Sequence, residues 1–407
     1  DTIRIWGDGY FYEGGITIDA ADVTIERWEG SPAQPLITNT SGAPAFAVTA
    51  NNATFSGLNI SDNRVTTSGA GIFATGGEGA HLQGLTITDC TFAGNEVDVD
   101  GGALYAKYVD NVQVERTTFT ANKAGQKGGG AYFYKSHYAV LTETTFANNT
   151  ADRNGGGVRI DQSENPVLKN TTFANNTAGY AGGGAYFLSA PDPTLTSTTF
   201  ANNTATESGG GAYFVSSDGV ALTETTFANN TATEFGGGAY FDSSKNAVLT
   251  KMTFENNTAG YAGGGAYFGS SKNAVLTKTT FANNTAATDG GGAYFESSDD
   301  VALTETTFAN NTATVSGGGA YFGNSPDAVL TNTTFANNAA TEAGGGAYFD
   351  WSWQAALTNT TFANNTAATD GGGAYFTSSA DATLTNTTFA NNTATETGGG
   401  AAFVWSD

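Results

Sequence analysis

The sequence predicts an all-β fold: a parallel β-helix, or β-solenoid, with coils of 27 residues and about three short strands in each coil. Three observations predict this fold: an uninterrupted 27-residue repeat, a composition poor in helix-forming residues, and alternating apolar residues within the repeat. Residues 198–214, TTFANNTATESGGGAYF, show most of one repeat. Together they favour a chain in which each coil lies on the preceding one.

The repeat is strict in its phenylalanines and asparagines. The phenylalanine of the TTF triplet recurs every 27 residues from Phe92 to Phe389, and an asparagine follows it three residues later in all twelve repeats. Identical side chains then lie above one another, and stacked amides can donate and accept hydrogen bonds along the axis. We therefore expect a structural ladder, whose central members are Phe146, Phe173, Phe200, Phe227, Asn149, Asn176, Asn203 and Asn230.

The segment GGGAYF supports strands over helices. Its alanine and phenylalanine face one side of a strand and its tyrosine faces the other. A helical repeat is excluded because each glycine would destabilise a helix by about 1 kcal/mol. A leucine-rich repeat is excluded because each unit holds about one leucine.

Two parts of the chain differ in regularity. Residues 1–90 follow the repeat loosely and are predicted to form irregular coils and a cap, since a terminal coil must shield the core. Residues 91–407 are predicted to form the regular part of one continuous solenoid. Because residue 407 closely follows a repeat strand, we expect an open edge that invites another copy of the chain.

Charge and hydropathy exclude several classes of partner. The net charge is −23 and every lysine and arginine precedes position 279, which excludes nucleic acid as a partner. No apolar run of 18 residues is present, so direct membrane insertion is not expected. A start at Asp1 without methionine is typical of a processed, exported protein, and we expect an extracellular or cell-surface location.

Two short motifs resemble a known family. F-x-x-N, as in Phe146 to Asn149, and G-G-A before a large residue, as in Gly210 to Tyr213, resemble the repeats of polymorphic outer membrane proteins. This resemblance implies a right-handed parallel β-helix on a cell surface, often an adhesin or autotransporter passenger. The opening coils resemble those of exported microbial β-helix surface proteins, including archaeal ones. Parallel crossovers are also right-handed as a rule.

Acidic residues supply the candidate metal ligands. Glu96, Asp98 and Asp100 alternate with valines and form a possible hard-cation site, while Glu207 and Glu234 hold equivalent positions in adjacent coils. Ca²⁺ is the cation that these oxygens would bind, and a solvated acidic face is the alternative. No other cofactor is expected.

The histidines and the cysteine are interpreted as structural. His81 and His137 have different neighbours and are predicted to lie outward or at corners without a partner, and neither is expected to bind metal. Cys90 is predicted to be a semi-buried thiol, with an intersubunit disulfide as the alternative.

Two sets of surface residues are candidates for contact or modification. Three N-x-T sequons in one column, Asn332, Asn359 and Asn386, are possible glycosylation sites. A stripe of outward aromatic residues is a candidate contact surface and comprises Tyr213, Tyr240, Tyr267, Tyr294, Trp351 and Trp353.

The function predicted from the sequence is structural. Regular coils without catalytic irregularity favour a self-assembling extracellular protein that is not an enzyme and whose partners are other copies of itself in a sheath, surface layer or filament. A carbohydrate-binding β-helix or adhesin that contacts surface glycans is the alternative. A polysaccharide lyase or hydrolase on the same fold is the third hypothesis.

Overall fold

The computed structural model describes residues 1–406, which form β-strands and no helix. Residues 1–406 therefore include no helix with the length and hydropathy that crossing a membrane requires. The chain makes about 15 turns of a parallel solenoid, which confirms the predicted fold class. It divides into two compact units: unit 1 is Asp1–Thr199, and unit 2 begins at Phe200.

Each regular coil contributes one strand to each of four parallel sheets. In chain order these are sheet A, with the repeated leucine; sheet B, with the TTF phenylalanine; sheet D, with only two residues per strand; and sheet C, with the AYF segment. Sheet D adds a fourth strand to the three expected. A two-residue strand is too short to show a period in the sequence.

The strands of unit 1 are as follows. Sheet A contains Thr2–Ile5, Thr24–Arg27, Thr54–Ser56, Thr86–Thr88, Gln113–Glu115, Val140–Thr142, Val167–Lys169 and Thr194–Thr196. Sheet B contains Phe11–Glu13, Leu36–Thr38, Asn59–Ser61, Thr91–Ala93, Thr118–Thr120, Thr145–Ala147 and Thr172–Ala174. Sheet C contains Ile16–Ile18, Phe46–Val48, Ile72–Thr75, Leu104–Lys107, Ala131–Tyr134, Val158–Asp161 and Ala185–Leu188. Sheet D contains Arg64–Val65, Glu96–Val97, Lys123–Ala124, Thr150–Ala151 and Thr177–Ala178, and a separate pair is formed by Leu82–Gln83 and Val109–Asp110.

The strands of unit 2 repeat this order. Sheet A contains Ala221–Thr223, Val248–Thr250, Val275–Thr277, Ala302–Thr304, Val329–Thr331, Ala356–Thr358 and Thr383–Thr385. Sheet B contains Thr226–Ala228, Thr253–Glu255, Thr280–Ala282, Thr307–Ala309, Thr334–Ala336, Thr361–Ala363 and Thr388–Ala390, and the strand Thr199–Ala201 includes the unit boundary. Sheet D contains Thr204–Ala205, Thr231–Ala232, Thr258–Ala259, Thr285–Ala286, Thr312–Ala313, Ala339–Ala340 and Thr366–Ala367. Sheet C contains Ala212–Val215, Ala239–Asp242, Ala266–Gly269, Ala293–Glu296, Ala320–Gly323, Ala347–Asp350, Ala374–Thr377 and Ala401–Val404.

Register follows the sequence period. Phe119 pairs with Phe146, the same residue one coil later. In sheet A, by contrast, the pairs from Thr2 to Thr24 and from Thr24 to Thr54 are unequally spaced in sequence. The first coils therefore vary in length, and the regular coils do not.

Stacked side chains fill the core of each unit. The rings of Phe254 and Phe281 are fully buried and nearly parallel, with centroids 4.7 Å apart. Beside them, Asn257 Nδ2 donates to Asn284 Oδ1 at 3.0 Å, and the backbone N–H of Asn257 donates to the same oxygen at 3.0 Å. Each asparagine thus satisfies a backbone group as well as its neighbour's amide.

Candidate functional site

The outward face of sheet C breaks the repeat in unit 1. The strand Val158–Asp161 reads VRID where the next strand, Ala185–Leu188, reads AYFL. Arg159 therefore lies in the tyrosine column, paired in register with Tyr132 and Tyr186. The break puts a cation in a column that otherwise carries aromatic residues in the neighbouring coils, whereas the column of Asp161 varies from coil to coil.

Arg159 and Asp161 form a buried ion pair. Their side chains are 5% and 4% exposed, and Arg159 Nε and Nη2 both lie 2.8 Å from Asp161 Oδ2. The guanidinium lies 4.6 Å from the ring centroid of Tyr186 and 5.8 Å from that of Tyr132. Tyr132 also donates its hydroxyl hydrogen to Asp161 Oδ2 at 2.7 Å. A buried pair of this kind needs such additional hydrogen bonds to offset desolvation.

Two buried polar atoms of this face have no hydrogen-bond partner within residues 1–406: Arg159 Nη1 and Asp100 Oδ1. Burial raises the pKa of Asp100, and the nearby cations Lys127 and Arg159 oppose that shift. A buried donor and a buried acceptor without partners are costly in a folded protein, so each such atom calls for an explanation. A ligand that offers hydroxyl or carboxylate groups can satisfy both.

Two lysines border the same face. Lys107 Nζ lies 5.2 Å from the ring centroid of Tyr108 and 5.7 Å from that of Tyr134. Lys135 Nζ lies 5.6 and 5.7 Å from the same two rings, and 2.8 Å from Glu78 Oε1. We call Asp100, Lys107, Lys127, Lys135, Arg159, Asp161 and the tyrosines at 105, 108, 132, 134 and 186 the basic-aromatic face.

The tyrosines of this face stay protonated near neutral pH. Burial raises the pKa of Tyr105 to about 12, and burial together with the charge of Asp161 raises the pKa of Tyr132 above its usual range. These hydroxyls therefore donate hydrogen bonds and do not act as bases.

A shallow cleft of about 320 Å³ adjoins the face at the corner before Val158–Asp161, where Arg153 and Tyr180 are among its lining residues.

The two histidines lie together at the corner that follows sheet C. His81 Nδ1 is 2.9 Å from Asp110 Oδ1, and the His81 and His137 rings stack with centroids 5.5 Å apart. Burial raises the pKa of Asp110, but hydrogen bonds from His81, the His137 backbone N–H and Gln83 outweigh it and hold the pKa below its usual value. The prediction that the histidines have no partner is wrong. The missed signal was that Asp110 and His137 are one 27-residue period apart.

The acidic residues predicted to bind Ca²⁺ are not brought together. Glu96 lies 3.5 Å from Arg64 and 3.9 Å from Lys123, Asp98 is exposed, and Asp100 is half-buried beside Lys127. Within residues 1–406 these carboxylates belong to no group of three potential ligands. Cations in the neighbouring coils pair with Glu96 instead, so the prediction that these three carboxylates form one cation site is corrected.

Glu207 and Glu234 do lie in adjacent coils, since the Glu234 backbone N–H donates to Glu207 O at 2.8 Å. The next residue of this column is Tyr261, whose N–H donates to Glu234 O. Two carboxylates and a tyrosine make a poor cation site.

Cys90 is buried, with 2% of its surface exposed, and burial raises the pKa of its thiol to about 12. Its sulfur donates to Thr88 O at 3.2 Å. The expected alternative of an intersubunit disulfide is therefore corrected, because the thiol neither reaches the surface nor ionises near neutral pH.

The tyrosine stripe of unit 2 is half-buried or buried, and two of its hydroxyls donate hydrogen bonds to carboxylates. Tyr213 donates to Asp242 Oδ2 at 3.0 Å, and Tyr267, 4% exposed, donates to Glu296. Tyr240 stacks on Tyr213 at 4.7 Å. The remaining predicted contact residues differ in exposure: Tyr294 is half-buried, Trp351 is 60% exposed and Trp353 is 41% exposed.

The sequon asparagines are exposed, as modification requires. Asn359 Nδ2 donates to Asn332 Oδ1 at 3.2 Å, and Asn386 Nδ2 donates to Asn359 Oδ1 at 3.3 Å. Their amides form an outer ladder, and glycosylation stays a prediction.

Solved structures similar to this one come from three kinds of protein. They include tailspike protein 3 of bacteriophage CBA120, at 12% identity over 83% of this chain and 52% of that chain, with a TM-score of 0.43. The A-module of the Azotobacter vinelandii mannuronan C-5 epimerase AlgE4 is 10% identical over 96% of this chain and 91% of that chain, with a TM-score of 0.40. The Yersinia enterocolitica family 28 exopolygalacturonase is 11% identical over 94% of this chain and 72% of that chain, with a TM-score of 0.32. This chain thus spans about half the length of the tailspike.

These comparisons correct two predictions, that of a self-assembling structural protein and that of a protein without enzymatic activity. The similar structures are a tailspike, an epimerase and an exopolygalacturonase, and none of the three is a sheath or surface-layer protein. The structural prediction also rested on coils without irregularity, and Val158–Asp161 is such an irregularity.

No curated protein matches this sequence. The family model described as the right-handed beta helix region matches residues 11–152, 44–232, 103–277 and 237–407, which together cover nearly the whole chain. The match agrees with the parallel sheets of both units and fixes the hand of the coils. This chain therefore belongs to the right-handed β-helix family.

Proposed function

We propose that unit 1 binds and cleaves an acidic polysaccharide on the basic-aromatic face of sheet C. The observation that carries the proposal is the break in the tyrosine column at Arg159, which pairs with Asp161, together with the buried atoms Arg159 Nη1 and Asp100 Oδ1 that have no partner. Burying an ion pair in place of the repeated residues costs stability. A departure from a regular repeat that lowers stability is typical of a functional site.

Charge supports an acidic substrate. Lys107, Lys127, Lys135 and Arg159 lie on or beside one face of a chain whose net charge is −23. A local group of cations on an acidic protein attracts anions to that place and repels them elsewhere. The carboxylate groups of a uronate polymer match these cations, and tyrosine rings offer flat apolar surfaces to sugar rings.

The cleavage step is assigned to Asp100. A carboxyl group whose pKa is raised by burial keeps its proton nearer to neutral pH and can donate it to a departing glycosidic oxygen. A water molecule adds to the anomeric carbon as that bond breaks, and the proton that it loses goes to solvent. Lys127 lies in the next coil, where its backbone forms a parallel β-bridge with that of Asp100. Its ammonium group would hold the substrate carboxylate beside Asp100. Asp161, paired with Arg159, positions the guanidinium and does not touch the reacting bond.

The location that we propose is outside the cytoplasm, at or beyond the cell surface. The F-x-x-N and G-G-A segments support it, because they are similar to repeats of the polymorphic outer membrane proteins. The exposed sequons at Asn332, Asn359 and Asn386 are compatible with it.

Binding to defined polymers tests the proposal. We expect the full chain to bind polygalacturonate or alginate, with affinity that falls as salt is added, and not to bind neutral dextran. The double variant K107A/K135A should lose at least about tenfold in affinity, whereas K272A, on a surface lysine of unit 2, should bind as the wild type does. D100N should bind but release no shortened product. Equal binding to dextran, or equal binding by K107A/K135A, would rule the proposal out.

A further inference from the structure

We propose that His81, Asp110 and His137 form a binding site for a divalent transition-metal ion of the Zn²⁺ class. One ligand atom from each residue lies within 4.8 Å of the other two. The three residues come from three successive turns at the corner that follows sheet C in unit 1. This site borders the basic-aromatic face, since the His81 and Tyr108 ring centroids are 5.3 Å apart, but the proposal does not depend on polysaccharide cleavage.

The ligand types select the class of ion. Two imidazoles and one carboxylate are a common set of three protein ligands for Zn²⁺, with a fourth position left to water or another ligand. Mg²⁺ and Ca²⁺ prefer oxygen ligands and match this set poorly. The site therefore differs in chemistry from the Ca²⁺ site that the acidic residues suggested.

The distances need small side-chain rotations only. Ligand atoms that each lie about 2.1 Å from a tetrahedral ion are roughly 3.4 Å apart. His81 Nδ1 and Asp110 Oδ1 are 2.9 Å apart, and the whole set lies within 4.8 Å. The ion would take the place of the hydrogen bond between these two atoms.

Neighbouring groups hold the ligands in place. Gln83 Nε2 donates to Asp110 Oδ2 at 3.3 Å, and the His137 backbone N–H donates to Asp110 Oδ1 at 2.9 Å. Gln83 is an outer partner of the kind that orients metal ligands in known sites. The Glu164 backbone N–H donates to His137 Nδ1 at 3.1 Å, and an ion bound by either ring nitrogen of His137 would replace this hydrogen bond. The His81 and Asp110 side chains are 19% and 17% exposed, so an ion can enter from solvent.

Calorimetric titration of the chelator-treated full chain with ZnCl₂ or CoCl₂ tests the proposal. We expect about one ion per chain, and Co²⁺ should give the visible absorption of a tetrahedral site. H81F and H137F keep an aromatic ring at the stack and should each weaken binding at least about tenfold. W353F changes the equivalent corner position in unit 2 and should bind as the wild type does.

The wild-type chain supplies a second measurement that needs no variant. It has two histidines, so the NMR spectrum of their imidazole groups is readily assigned, and both sets of signals should shift with one equivalent of Zn²⁺. Unchanged imidazole signals, or equal affinity in H81F, H137F and the wild type, would overturn the proposal and leave a hydrogen-bonded cluster without metal.

Discussion

Single residues hold the coils in register through hydrogen bonds between copies of the same side chain. Asn284 is fully buried, and its Nδ2 donates to Asn311 Oδ1 at 2.9 Å and to Phe254 O at 2.9 Å. Its Oδ1 accepts two bonds from Asn257. One amide therefore satisfies groups in both neighbouring coils, and its removal affects all of them.

For Asn284→Ala we expect a loss of about 3 kcal/mol or more in the free energy of unfolding, because the Asn257 donors and the Asn311 acceptor lose their partner in a buried site. Urea unfolding measures it. Thr285→Ala removes an exposed side chain from the next position and should change the free energy by less than about 0.5 kcal/mol. Equal effects of the two substitutions would show that the amide ladder does not stabilise the fold.

The buried ion pair makes a second prediction at this scale. Arg159→Ala should cost about 3 to 5 kcal/mol, because it leaves the buried Asp161 carboxylate without its cation. The double change R159Y/D161L restores the outward residues of the next coil and should remain within about 2 kcal/mol of the wild type. A double variant as unstable as R159A would mean that the pair stabilises this coil.

Asp289 makes the fold sensitive to pH. Burial raises its pKa to about 6, although the Ser316 backbone N–H, 3.0 Å from Asp289 Oδ1, opposes the shift. Since the folded pKa lies above the unfolded value, wild-type stability falls as pH rises from about 4 to about 6. D289N keeps the acceptor oxygen without the charge.

D289N should therefore match the wild type below pH 4, become the more stable of the two between about pH 4 and 6, and keep a constant advantage above that range. Urea midpoints across this range measure the difference. Glu255→Gln, which changes an exposed carboxyl group, serves as the control. A D289N advantage that is the same at every pH would contradict the assignment.

At the scale of elements, the glycines at the corner between sheets D and C allow these two sheets to lie close together. A Cβ atom added at Gly156 would lie 2.3 Å from Gly183 O in the next coil and 2.6 Å from Thr177 O. Both contacts are with backbone, which cannot move without disturbing the neighbouring coil. The triplet GGG thus allows close approach between coils.

Gly156→Ala should destabilise unit 1 by at least about 2 kcal/mol, since the added methyl group overlaps backbone atoms. Gly79→Ala is a matched control, because no heavy atom lies within 4 Å of a Cβ at that position. Thermal unfolding of both variants measures the difference. Comparable stability of the two would mean that the corner has room for a side chain.

For the whole molecule, the repeat period was sufficient to predict the fold. An uninterrupted 27-residue spacing fixes which residues stack, and the paired strands follow it, as Leu141 on Leu168 shows. The strands of sheet D were not predicted, because two residues carry no alternation. The first coils are also hard to derive, since their lengths vary.

The candidate site was much harder to predict than the fold. Arg159 and Asp161 are two residues apart in a strand, and their sequence is that of ordinary surface charges. The structure shows both buried, with Arg159 between Tyr132 and Tyr186. The alternation with valines groups Asp100 with Glu96 and Asp98, and nothing in the sequence places it near a buried arginine. The burial of a residue depends on the side chains of the two flanking coils, so the sequence of its own strand is not sufficient to predict it.

Polysaccharide cleavage by the wild type and by R159Y/D161L tests the central claim most directly. Both proteins should be folded, as urea midpoints within about 2 kcal/mol would show. We expect the wild type to bind polygalacturonate or alginate and release shortened chains, and the variant to lose this activity at least about tenfold together with the ion pair. Product release at the same rate from both proteins, or from neither, would contradict the assignment of the basic-aromatic face as the functional site.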